Sequence, residues 1–81
     1  MKIDRLTTPT PTEPFQYCVK VHWADYRLSR RNRNKKILST IDSLSIDRKD
    51  VSYRYDMVID ATYVNFKSKV DGVDFYVTMG L

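Results

Sequence analysis

The sequence predicts an α+β domain: a small β-α-β-β-β chain whose antiparallel sheet carries one helix packed on one face. Three observations point there. Residues 15–23 alternate apolar and polar side chains. Residues 34–47 place apolar side chains at helical spacing. Residues 51–79 alternate again around Asp71-Gly72, a pair favoured in tight hairpin turns.

Each element has its own warrant. Residues 1–6 read as a short edge strand or a frayed start, and residues 1–14 together as an extended leader. Four threonines and three prolines between positions 7 and 14 favour polyproline-like backbone. Pro11 and Pro14 form a bare PxxP, which reads as a stiff spacer or as a ligand for an aromatic groove. The domain proper is expected over residues 15–81. Its first strand is FQYCVKVHW, with Phe15, Tyr17, Val19, Val21 and Trp23 on a buried face. Gln16, Cys18, Lys20 and His22 fall on the other side.

A helix is expected next, with Ile37, Leu38, Ile41 and Leu44 on one face and either Ser29 or Asn34 as its N-cap. Asp47 to Asp50 looks like a turn. The Asp71-Gly72 hairpin would pair Val70 with Val73, Phe66 with Val77 and Val64 with Met79 on an apolar face. A short turn at Asp60-Ala61 would extend that face with Val51, Tyr53, Tyr55, Met57 and Ile59. In that register Arg54 lies opposite Lys67, an unfavourable contact unless an anion sits above it.

Composition narrows the function. Hydrophobic residues make up 42% and charged residues 30%, as in an ordinary globular chain. The single Cys18 forms no internal disulfide, and no apolar run approaches a membrane span. The expectation is a soluble, cytoplasmic protein with no membrane partner. With one histidine, one cysteine and glycines only at 72 and 80, neither a phosphate loop nor a dinucleotide fingerprint can be assembled. In an extended strand Cys18 and His22 sit about 13 Å apart, too far for a shared metal or a nucleophile–base pair. The aspartates fall mostly at expected turns. No cofactor, metal site or catalytic residue is therefore expected, and the chain reads as a non-enzyme.

The charge is concentrated. The net charge is +4, but residues 27–36, RLSRRNRNKK, hold six of the fourteen basic residues and no acid. The other eight basic residues face ten acids, so the rest of the chain carries −2. A cationic segment on a slightly acidic body suits local recognition of an anion. Four of the six charges are arginines, whose planar fork suits phosphate and base stacking. Asn32 and Asn34 can bond base edges or sugars. In composition the segment resembles the arginine-rich RNA-binding segments of small viral regulatory proteins, a resemblance confined to residues 27–36. A run of basic residues can also be a solvated loop, but the arginines, the asparagines and the adjoining helix start argue for more.

The reading is a nucleic-acid-binding protein, RNA favoured, that uses a basic loop over residues 27–36. Arg27, Arg30, Arg31, Asn32, Arg33, Asn34, Lys35 and Lys36 are its primary contacts. Arg54, Lys67, Lys69, Tyr63 and Tyr76 are secondary candidates, expected together on the polar sheet face if no helix covers it. The alternative is an inhibitor of the phage or mobile-element type that binds a host protein, with or without RNA. A homodimer is compatible with either.

Overall fold

The computed structural model of the chain describes residues 6–7, 14–23 and 29–80. Its elements are β1 (Leu6–Thr7), β2 (Tyr17–His22), α1 (Arg30–Ser43), a 3-10 turn (Arg48–Asp50), β3 (Val51–Asp56), β4 (Ala61–Phe66) and α2 (Lys69–Gly80). The strands form one antiparallel sheet in the order β1-β2-β4-β3. The α+β class is as the sequence predicts. The element order is not: the described residues run β-β-α-β-β-α, with two helices among them.

Part of the leader belongs to the sheet, because Leu6 pairs with Val21 and Thr7 with Lys20. Pro11 of the PxxP lies outside the described residues. On the core side β2 follows the predicted alternation, with Val19, Val21 and, just beyond the strand, Trp23 completely buried; Cys18, expected on the polar face, is buried as well. Strand β2 runs antiparallel to β4, with Val19 opposite Val64 and Val21 opposite Thr62. Strands β2 and β3 are thus parallel to each other with β4 between them, and α1 is the crossover that joins them.

The basic segment is the first correction. From Arg30 onward it is helix, not loop. Ser29, in extended backbone, caps α1 by accepting the Asn32 N–H at 3.4 Å. Arg and Lys have good helix propensity, and nothing between Ser29 and Ile37 interrupts the turn. The far end closes on Ser45, whose φ of 59° is left-handed. The Ser45 N–H bonds the Asp42 carbonyl at 3.0 Å and the Ile46 N–H bonds the Ile41 carbonyl at 3.1 Å. This is a Schellman closure with serine where glycine is usual.

The second correction concerns the last segment. Asp71-Gly72 turns no hairpin, and residues 73–79 are helix rather than strand. Strand β4 is central, with β3 on one edge and β2 on the other, so neither edge is free for another strand. As a helix the segment covers the sheet. Phe75 and Met79 are buried, and the Phe75 ring lies 5.0 Å from that of Phe66. A local signal supports the helix: the Ser68 hydroxyl accepts the Asp71 N–H at 3.4 Å, and its carbonyl accepts the Gly72 N–H at 3.1 Å. Gly72 serves close packing, because a Cβ there would stand 2.2 Å from Cδ2 and 2.8 Å from Cβ of Tyr17.

The third correction is a register. Val51 pairs with Phe66, Tyr53 with Val64 and Tyr55 with Thr62, so the expected faces hold but the pairing slips by four residues. The turn spans residues 57–60 instead of closing at Asp60-Ala61. Arg54 consequently faces Tyr63, and the expected contact with Lys67 does not form. Both helices pack on the same face: Ile37, Ile41, Phe75 and Met79 join Val19, Val21, Val64 and Phe66 in one core. That leaves the other face of the sheet without a helix among the described residues.

Candidate nucleic-acid interface

The predicted cations divide into two groups once α1 is formed. Arg33 turns inward. Its Nη1 meets Asp60 Oδ1 at 2.6 Å, and its guanidinium carbon lies 5.6 Å from the Trp23 ring centre. The same Asp60 oxygen accepts the Tyr55 hydroxyl at 2.6 Å, while the Asp60 carbonyl accepts the Trp23 N–H at 3.0 Å. Asp60 has a left-handed φ of 51°, a conformation that aspartate tolerates better than most residues. Arg33 is therefore a tie between α1, the 57–60 turn and the end of β2. With Asn34, Trp23, Tyr55 and Thr62 it lines a cavity of about 130 Å³.

The outward group behaves differently. Arg31 and Lys35 are exposed and Lys36 is half-buried; none of the three forms an ion pair among the described residues. They stand in the first two turns of α1, and its first turn holds no acid. Cations gathered at the positive end of a helix dipole are destabilising until an anion joins them. Asn32, Lys35, Lys36 and Ser39 border an open trough that ends at Asp42 and Arg48. Those two neutralise each other, with Arg48 Nη2 2.6 Å from Asp42 Oδ2. That bond holds the Asp42 carboxyl below its usual range. Arg30 lies in the first turn of α1, and Arg27 lies outside the described residues.

The secondary candidates separate. Arg54 and Tyr63 are brought together, directly opposite each other on β3 and β4, with the guanidinium carbon 5.0 Å from the ring centre. On the other flank Lys20 of β2 pairs with Tyr63 and places Nζ 5.7 Å from the same centre. The row Lys20–Tyr63–Arg54 lies on the face away from the helices. Lys67 follows β4, exposed, its N–H still bonded to the Asp50 carbonyl at 3.1 Å. Lys69 and Tyr76 do not join the row. Both belong to α2, and Tyr76 packs against the core, because residues 69–80 are helix rather than strand. Lys20 is not among the residues that the sequence singles out. Its alternation placed it on the polar face, but its neighbours depend on the pairing of β2 with β4, which no local signal specifies.

Cys18 and His22 flank Lys20 along β2. Cys18 is buried, and desolvation pushes its thiol above the ordinary value, partly offset by the nearby Arg54 guanidinium. His22 is half-buried. Among the described residues no three of His, Cys, Asp and Glu gather as a metal-binding group, and no helix is long and apolar enough to cross a membrane. No protein-family model matches this chain, and no curated protein or solved structure is significantly similar to it.

Proposed function

We propose that this chain is a small non-enzymatic protein that binds nucleic acid, RNA in preference to DNA, through the outward cations of α1. The observation that carries this reading is the trio Arg31, Lys35 and Lys36: three cations in two helical turns, with no acid among the described residues paired to them. A phosphate backbone would supply the missing anions. The amides of Asn32 and Asn34, both exposed, stand among them as donors and acceptors. Duplex DNA fits less well. Further along α1 the outward residues are Ser39, Asp42 and Ser43, a poor surface for a helix laid along a major groove.

The test reverses Arg31, Lys35 and Lys36 to Glu and leaves Arg33 in place, since Arg33 holds the fold. Affinity for single-stranded RNA should fall by more than about tenfold, and the slope of log K against log salt should flatten by about 2. Unchanged affinity and slope in a folded variant would sink the reading.

One observation favours the alternative of a protein partner. Met57, Val58 and Ile59 form the turn between β3 and β4 and are 71%, 89% and 42% exposed. Three adjacent large apolar side chains at a turn suit a protein surface. On this second reading a stoichiometric protein complex survives RNase and is lost in Val58→Asp. A complex that dissolves on RNase treatment would return the choice to RNA.

A further inference from the structure

We propose that the face of the sheet away from α1 and α2 is a stacking site for single-stranded RNA, centred on Tyr63 between Lys20 and Arg54. This inference rests on the RNA-binding reading above and adds a second contact on the opposite side of the sheet from α1.

The pairing of β2, β4 and β3 puts Lys20, Tyr63 and Arg54 in one row across three strands. Both cations lie over the tyrosine ring, at 5.7 and 5.0 Å from its centre. Neither forms an ion pair among the described residues. The only acid on this face of the three strands is Asp56, whose Oδ1 accepts the Val58 N–H at 3.0 Å. Two like charges stand roughly 10 Å apart, two strand spacings, with an aromatic ring between them and no paired acid among the described residues. The ring quadrupole attracts each cation but does not neutralise it.

The neighbouring row is uncharged. Asn65 lies opposite Cys18 on one side and Ser52 on the other, and Asn65 and Ser52 reach solvent. Their amide and hydroxyl can bond a base edge or a 2′-hydroxyl. Lys67, exposed, follows two residues beyond Asn65, just past the end of β4. The ligand chemistry that matches is an anionic chain with flat faces. Phosphates meet Lys20 and Arg54, and a base stacks on the guanidinium–tyrosine layer. A duplex hides its base faces, so the site selects single strands.

The experiment uses the full chain with two probes. One is a single-stranded RNA of about twelve nucleotides carrying 2-aminopurine, whose fluorescence is quenched on stacking; the other is a blunt RNA duplex. The variants are Tyr63→Leu, Tyr63→Phe and the α1 reversal described above, each checked for fold by circular dichroism. Tyr63→Leu should weaken single-strand binding about tenfold and lose the quench, with duplex affinity unchanged. Tyr63→Phe should restore both. Equal single-strand affinity in Tyr63→Leu, or an equal loss on both probes, overturns this inference alone. If the wild-type chain binds neither probe, the RNA reading itself fails and takes the stacking site with it.

Discussion

Gly72 sets how closely α2 approaches β2 at Tyr17. Beside Asp71 it carries the local signature of a tight turn. In the folded chain it is the point where α2 rests on Tyr17, with no room for a methyl group. A change to Ala gains about 1 kcal/mol of helix propensity. Against that stands overpacking of about 1–3 kcal/mol. The nearest atoms include Cβ of Tyr17, which rotation about its side-chain bonds cannot move, so the clash should win. Gly72→Ala should lower stability by about 1–2 kcal/mol, seen as a lower urea midpoint at unchanged slope. A variant as stable as the wild type would show that α2 can lift off Tyr17 freely. Arg33 is a second misread residue. Its basic character is plain, but its partner Asp60 is distant in sequence and its role is structural.

At the scale of elements, α1 is defined by its two ends. Ser29 opens it and Ser45 closes it. The ends predict opposite effects. Ser29→Ala removes the acceptor for the Asn32 N–H and should cost about 1 kcal/mol. Ser45→Gly relieves a left-handed serine and should add roughly 0.5 kcal/mol, the balance of backbone strain against glycine's entropy. Thermal unfolding of both variants checks the pair, and two shifts of the same sign would contradict the capping geometry. The basic segment was legible as cationic, and Ser29 as a cap, but the two signals were not joined into one helix. A run of charge resembles a loop until the cap preceding it is counted. For α2 the competing patterns were closer. Val73, Phe75, Val77 and Met79 alternate as a strand would, while Gly72, Phe75, Tyr76 and Met79 fall on one helical face. The Ser68-to-Asp71 capping signature was the local clue that tips the balance.

At the scale of the whole molecule, the uneven charge has an energetic consequence. Arg31 and Lys35 are like charges four residues apart, and with Lys36 they crowd the positive end of α1. Replacing all three with Gln should stabilise the free protein by about 0.5–1 kcal/mol at low salt. That corresponds to a rise in Tm of roughly 4 °C for a chain this small. The gain should shrink as salt screens the repulsion, and RNA affinity should fall in the same variant. A variant that gains no stability at low salt would mean that the chain already neutralises these cations.

The sequence by itself determined the composition of each layer: which face of β2 is apolar, which stripe of α1 meets the core, and where positive charge is concentrated. These follow from side-chain periodicity and local capping, which act over a few residues. Tertiary structure alone decided that β4 is central and that Lys20 stands across from Tyr63 and Arg54. Those outcomes depend on which strand edges remain open after β2 returns to pair with β4. That closure joins residues about forty positions apart, and its free energy comes from burying Trp23, Val64 and Phe66 together rather than from any local preference.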